Sequence, residues 1–427
     1  MRSRPLIGAL VAIAAVGALP VTATAYDRSP AHRTASAAAD RPTPAPAGAV
    51  LRWNEILQRE VVPPAPAPPV PPPSSFAAMA FVQVAVYNAV VAIEGGFEPY
   101  GRPLRPRPGA SVDAAVATAA HDVLVHYLPG SAAALDADLA QSLATIPEGR
   151  AKQQGQAVGG EAAAALIAQR AGDGWMADIG FTMPAAAPGV WQLPAGQAPL
   201  VPWLSKLRPF TLRSDDQFRP GPPPALTSRR YRRDAAEVEA VGGAVSDQRT
   251  PEQTVAAKFY TTHPALQYAT AYRELTEREQ LGALQAARLM AMGTVAAADA
   301  QIACYDAKFA YLAWRPVFAI AGFTPLIPTP PHPEYPSGHS CMTFSQSVVL
   351  QRFLGTRRIE LDLPSTVAGV PARHFATTDD LEREILNARV WGGIHFRFST
   401  ETGGELGRRV ADWVLAHEFR PLGGCGR

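Results

Sequence analysis

The stretch EREQLGALQAARLMAMGTVAAADAQIACYDAKFAYLAWRP, Glu277–Pro316, sets the architecture. Its apolar residues recur at helical spacing, so a long amphipathic helical run extends from Glu277 through Trp314. Pro316 lacks a backbone N–H and ends the hydrogen-bond ladder just after Arg315. Lys308 and Arg315 stand seven residues apart in this run; at about 100° per residue they project from one face, two turns apart. Their surroundings, Phe309, Tyr311, Leu312 and Trp314, are too apolar for an ordinary charged surface. Two cations pointing one way form a pair of donors for an oxyanion, and Arg315 can make a bidentate contact.

Helical patterning extends outward from this run. A short helix over about 51–60 leads through the stiff proline connector Val62–Pro73 into Ser75–Ile93, whose composition favours a buried helix. Ser111–Arg170 reads as alanine-rich helices broken at Pro129-Gly130 and near Ile146-Pro147. Helical pattern returns at Asp234–Val241, Thr250–Tyr260 and Tyr268–Leu275. No strand run exceeds a few residues and no solenoid period is evident. The expected fold is therefore all-α, a helical bundle with long ordered loops and its chemistry between helices. The longest loop, 171–227, is rich in Pro, Gly and Trp and reads as an ordered covering segment.

In the 427-residue chain, apolar residues make up 47% and spread evenly from about residue 51 onward, which permits one large core, so 51–427 reads as a single helical domain. Ahead of it, Arg2 and Arg4 precede the apolar run Leu6–Leu19 and the small-residue pattern Ala23-Thr24-Ala25. This reads as a signal peptide over 1–25, with an uncleaved anchor as the alternative, and either implies export from the cytoplasm. Residues 26–50 form a flexible Pro/Ala-rich lead-in. The formal charge of +2 falls to 2 − 2 = 0 without Arg2 and Arg4, which points away from a nucleic-acid partner. The basic cluster Ser228–Arg233 is answered at once by Asp234, Glu237 and Glu239 and reads as a solvated face. No later segment reaches about 18 uninterrupted apolar residues, so no membrane association is expected after signal cleavage. Cys304, Cys341 and Cys425 have no zinc-type spacing; Cys304 and Cys341 are either one bridge or two buried thiols.

Two further blocks complete the chemistry. Pro336-Ser337-Gly338-His339 precedes an apolar run suited to a helix, Cys341–Leu354. Ser337 is placed as its N-cap, so free backbone N–H groups face a bound anion, Gly338 allows close approach, and His339 sits at the anion's edge. The third block holds Arg389 and His395, with Gly392-Gly393 between them to break the helix and turn His395 inward.

In this order, K-x6-R-P (Lys308…Arg315-Pro316), P-S-G-H (Pro336–His339) and R-x5-H (Arg389…His395) resemble the vanadium-dependent haloperoxidase and type 2 phosphatidic acid phosphatase superfamily. The match covers 299–415, and the N-terminal helices resemble the secreted bacterial haloperoxidase-like branch more loosely. The resemblance implies that His395 is the axial ligand of vanadium, or the phosphate nucleophile of a phosphatase. It implies that Lys308, Arg315, Ser337, the Gly338 N–H and Arg389 neutralise the oxygens, and that His339 is the acid/base. The implied cofactor is vanadate, with phosphate in the same pocket if the enzyme is a phosphatase.

Trp314 and the run Pro331–Tyr335 resemble the peroxidases more than the phosphatases. His332 occupies the place of a histidine in algal bromoperoxidases, which points to bromide or iodide, the alternative being a loop histidine at the pocket rim. Ala388 replaces a serine common in the family, and Tyr305 stands where peroxidases often place Trp or Arg near the halide. Asp299 and Asp306 either orient the cations or are helix-surface acids, the latter favoured for Asp306. The implied activity is oxidation of a halide by hydrogen peroxide to a hypohalous-acid equivalent that halogenates an organic acceptor. A secreted acid phosphatase working through a phosphohistidine and a non-catalytic phosphate or vanadate binder remain as alternatives.

Overall fold

Helical structure starts before the expected boundary near residue 51. Helix α1 spans Gly48–Val61 and turns Val50, Trp53, Ile56, Leu57 and Val61 inward at helical spacing. Pro46 bridges to Gly282, so the end of the expected lead-in belongs to the fold. The computed structural model describes residues 45–63 and 69–423; the proposed signal peptide, most of the lead-in and Cys425 lie outside the described residues.

Helix α2, Ser75–Glu94, is buried on every side from Ser75 to Ala92. By length and mean hydropathy the segment Pro72–Glu94 could cross a membrane, although Gln83 and Asn88 interrupt its apolar run, and 94% of its most apolar window is buried within the protein. Its apolar surface is satisfied by other helices. Beside it stand α3 (Val112–Tyr127) and α5 (Arg150–Arg170), with α4 (Ala132–Ala144) against α3, all separated at the anticipated breaks. The covering segment follows, with a single 3-10 turn at Pro202–Lys206. Then come α6 (Arg229–Val241), α7 (Pro251–Phe259) and α8 (Pro264–Arg278).

Helix α9, Ala283–Tyr311, is the axis of the molecule. The expected amphipathic character does not hold, because every residue from Leu289 to Lys308 is buried. A helix walled by neighbours has no face left for water, and α9 packs against α2 and against the later helices Gly338–Leu354 and Arg397–His417. The rest of the chain is α10 (Pro316–Ala319), α11 (Gly338–Leu354), the strands β1 (Arg358–Leu363) and β2 (Arg373–Thr377), α12 (Thr378–Trp391) and α13 (Arg397–His417). The antiparallel β1–β2 pair was not anticipated. Its signal is the alternation of buried Ile359, Leu361 and Leu363 with Glu360 and Asp362, too short to stand out among helical patterns. The described residues form one compact unit.

Close approach of α13 to α11 positions the site. A Cβ on Gly403 would lie 2.6 Å from the Ser337 carbonyl oxygen, and one on Gly407 would lie 2.1 Å from that of Cys341. Backbone cannot yield as a side chain can, so Gly407→Ala is expected to cost about 1–3 kcal/mol. Gly160→Ala on α5, whose Cβ would meet only Asp122 Oδ2 at 3.7 Å, is expected to be neutral or stabilising by up to about 1 kcal/mol. Thermal unfolding of the two variants checks the contrast, and equal effects would contradict this packing.

Candidate active site

Lys308 lies in the last turn of α9 and is fully buried. Its Nζ donates to the carbonyls of Pro333 (2.8 Å) and Glu334 (3.0 Å). The expected continuation of one helical face to Arg315 does not occur. The helix stops at Tyr311, and Leu312 adopts a left-handed conformation at φ 46. Arg315 instead caps α10. Its Nε donates to His332 O (3.1 Å) and its Nη1 to Ile394 O (2.8 Å). The two cations still converge, because the loop His332–Glu334 lays its carbonyls along both of them.

The N-terminus of α11 supplies the second face. Its ladder begins with the Cys341 N–H on Ser337 O, which leaves the amides of Gly338, His339 and Ser340 outside it. Ser337 is the N-cap residue, but its buried Oγ makes no capping bond and has no partner among the described residues. Gln301, one helical repeat before Lys308, holds the Gly338 carbonyl through Nε2 at 2.9 Å. Arg389, in the last turn of α12, donates Nη1 to Tyr260 O (3.0 Å), and its buried Nε has no partner among the described residues. Gly393, at φ +76, turns the chain after α12; a Cβ there would lie 2.1 Å from Gly242 O. His395 is thereby directed inward.

These elements enclose a cavity of about 80 Å³, lined on its polar side by Gln301, Tyr305, His332, Gly338, His339, Arg389 and His395. Pro72, Pro73, Phe76, Pro264, Pro330 and Met342 form its apolar wall. Lys308, Arg315 and Ser337 stand behind this lining. Lys308 Cε would be 3.9 Å from a Cβ on Gly338, and Arg315 Nη1 is 3.2 Å from His395 Nε2. At roughly 10–15 Å³ per water-sized probe, the space suits one small tetrahedral ion with water-sized neighbours.

Charge in the site is unbalanced. Lys308, Arg315 and Arg389 are buried beside a single buried carboxylate, Glu334. Burial pulls Lys308 down to about 8, Arg315 to about 10 and Arg389 to about 9. It also holds His332, His339 and His395 well below the usual histidine range, with the neighbouring cations adding to the effect, so the three rings are neutral near pH 7. Burial raises Glu334 to about 7 against the opposing pull of Arg315 and Lys308. Buried cations without matching anions are costly, and a bound oxyanion offsets that cost.

Glu334 is the residue that spacing did not reveal. Its Oε1 accepts from His395 Nδ1 (2.8 Å) and from the Phe396 N–H (3.0 Å). Nothing local marks it, since its partners lie about sixty residues away in sequence. Gln301 was legible in principle, seven residues before Lys308 on the same helix.

Other expectations need correction. Asp299 and Asp306 are neither surface acids nor partners of the site cations. Asp299 is buried and accepts from the Phe210 N–H (2.6 Å), the Thr211 N–H (2.8 Å) and Thr211 Oγ1 (2.7 Å). Asp306 pairs with both Nε and Nη2 of Arg219 at 2.6 Å. Both acids anchor the covering segment, none of whose residues lines the cavity. His332 is buried in the lining, not set at a rim; its Nδ1 is 3.0 Å from Arg315 Nη2 and its ring 5.4 Å from that of Tyr305. Trp314 turns away to donate Nε1 to Tyr231 Oη (2.8 Å). Cys304 and Cys341 are buried free thiols.

Comparison with known proteins gives the same outline. Residues 321–424 match the family model described as the VCPO second helical-bundle domain. The crystal structure of the first bacterial vanadium-dependent iodoperoxidase matches with a TM-score of 0.76 at 24% identity, covering 90% of this chain and 99% of that one. An apo-type bacterial vanadium-dependent chloroperoxidase matches with a TM-score of 0.67 at 17% identity, covering 79% of this chain and 92% of that one. A holo-type structure of a bacterial vanadium-dependent chloroperoxidase matches with a TM-score of 0.68 at 18% identity, covering 88% and 95%. No curated protein sequence matches this chain.

The raised Glu334 carboxyl has a measurable consequence. Between its ordinary value of 4.5 and about 7, the folded protein keeps a proton that the unfolded chain has released, so this group's contribution to stability falls as pH rises through that window. Glu334→Gln removes the effect. In urea unfolding, the stability of the variant minus that of the parent is expected to increase by about 2 kcal/mol between about pH 5 and about pH 8. A constant difference would contradict a buried, charge-penalised carboxyl.

Proposed function

We propose that this chain, which is similar to bacterial vanadium haloperoxidases in fold and matches the second helical-bundle model over 321–424, is a vanadate-dependent haloperoxidase. The observation that carries this reading is the excess of buried positive charge, Lys308, Arg315 and Arg389, around a cavity into which a neutral His395 turns. The donor set fits vanadate. Ser337 Oγ and Arg389 Nε, without partners among the described residues, and the amides at the start of α11 are donors left over by the bonding among those residues.

In this reading His395 Nε2 holds the vanadium, and Lys308, Arg315, Ser337, the Gly338 N–H and Arg389 hold the oxygens. When bound, vanadate supplies a Lewis acid that polarises hydrogen peroxide. The cations disperse the negative charge of the bound group, and their fixed positions avoid reorganisation during reaction. His339, neutral near pH 7, is placed on the lining to accept and return a proton. The proline and phenylalanine wall limits water. The net change is halide plus hydrogen peroxide plus a proton giving hypohalous acid and water, and the product halogenates an organic acceptor outside the small cavity. His332, set in the lining against Tyr305, supports bromide or iodide as the halide. Export follows from Arg2, Arg4 and the apolar run Leu6–Leu19 as a signal peptide.

A phosphatase using a phosphohistidine at His395 would need the same cage. The cavity of about 80 Å³ favours the peroxidase, because an ester's leaving group needs space closer to the roughly 300–1,000 Å³ of ordinary ligand pockets. A non-catalytic anion binder draws support from Ala388, which offers no hydroxyl to a neighbouring group, beside the partnerless Arg389 Nε.

The test pairs two assays on the purified protein, with and without orthovanadate: peroxide-dependent oxidation of bromide and iodide, and hydrolysis of an aryl phosphate. Halide oxidation that requires vanadate is expected. Its absence with vanadate bound overturns the reading, and ester hydrolysis inhibited by vanadate would replace it with the phosphatase. His395→Ala is expected to abolish turnover, and His339→Ala to lower kcat by about 10²–10⁴-fold while vanadate still binds. His332→Phe is expected to lower the ratio of bromide to chloride kcat/KM; an unchanged ratio removes His332 from halide selection.

A further inference from the structure

We infer that Glu334 is the positioning residue of His395: its carboxyl group holds the ring in the tautomer and orientation that leave Nε2 unprotonated at the cavity lining. The bond from Nε2 to the central atom of a bound oxyanion therefore depends on Glu334. This deepens the vanadate-binding assignment and, for its anion-binding part, rests on that reading.

The geometry determines the tautomer from both sides of the ring. Arg315 Nη1 lies 3.2 Å from His395 Nε2 and carries only donors, so Nε2 is the unprotonated nitrogen. The neutral ring then has its proton on Nδ1. That nitrogen lies 2.8 Å from Glu334 Oε1, whereas its other neighbour, Ser399 Oγ, is at 3.4 Å and itself directed to the Glu334 carbonyl at 3.3 Å. Glu334 is held at one carboxyl oxygen and at its main chain, while Oε2 is buried without a partner among the described residues. Oε1 also accepts the N–H of Phe396, the residue next to His395, while the Glu334 main-chain carbonyl accepts from Lys308 Nζ.

Burial makes this contact strong. His395 is 2% exposed and Glu334 is fully buried, so water does not compete for either partner. A carboxylate behind Nδ1–H increases the electron density at Nε2, which favours bond formation there and fixes the direction of the bond. Anion capture by the cage and bonding to the ring are thus separable: Lys308, Arg315 and Arg389 attract any small oxyanion, while the Glu334–His395 pair favours one whose central atom accepts a fifth ligand.

Orthovanadate and inorganic phosphate distinguish the two contributions when their binding to the parent and Glu334→Gln proteins is measured calorimetrically near neutral pH. Vanadate affinity is expected to fall by about 10–100-fold in the variant. Phosphate affinity is expected to stay level or rise, since the partial negative charge of Glu334, about half ionised near pH 7, has been removed from beside the cage. An equal loss for both anions, as a merely structural role would produce, overturns the inference, as does unchanged vanadate affinity. A histidine-ring ¹⁵N–¹H correlation spectrum of the ligand-free parent protein provides a test independent of the variant's folding. It is expected to show His395 protonated at Nδ1, and protonation at Nε2 instead would overturn the assignment. Should the parent protein bind neither anion, the proposed function fails, and the ring spectrum still decides the role of Glu334.

Discussion

The constraint on which the rest of the structure depends is the burial of three cations around one small cavity. Lys308, Arg315 and Arg389 come from α9, the α9–α10 turn and α12, and all three are buried. Each is held by main-chain carbonyls: Pro333 and Glu334 for Lys308, His332 and Ile394 for Arg315, Tyr260 for Arg389. Carbonyls satisfy hydrogens without cancelling charge, so the cage stays electropositive. The same burial keeps His339 and His395 neutral, leaving a proton acceptor and a lone pair beside that positive field.

Sustaining such a site requires a scaffold that shuts out water. Helices α2 and α9, buried on all sides over Ser75–Ala92 and Leu289–Lys308, form the dry centre, and the glycines of α13 bring that helix against the start of α11. The covering segment is tied down by acids of α9. Asp299 takes the amides of Phe210 and Thr211, and Asp306 takes the guanidinium of Arg219. One helix thus carries carboxylates that fasten a loop and, two residues past the second, the lysine of the cage.

Much of this was legible, element by element. The breaks at Pro129-Gly130 and Ile146-Pro147 separate α3, α4 and α5 as composition suggests, because Gly and Pro act locally. The placement of Ser337 at the start of α11 was legible for the same reason. The shared helical face of Lys308 and Arg315 was not, since the left-handed turn at Leu312 is imposed by the surrounding chain, with Trp191 donating its N–H to the Leu312 carbonyl at 2.7 Å. The roles of Asp299 and Asp306 were hidden because their partners lie in a loop without periodicity.

The sequence by itself determined the helical class, the order of the three motif blocks and the identity of the cations and histidines, because helix formation and chain breaks depend on neighbours within a few residues. Only the tertiary structure decided which side chains line the cavity, that His332 is buried among them, and that Glu334 stands behind His395. Those facts depend on contacts between segments tens of residues apart, and on the loss of water that turns ordinary side chains into neutral histidines, a raised carboxyl and uncompensated cations.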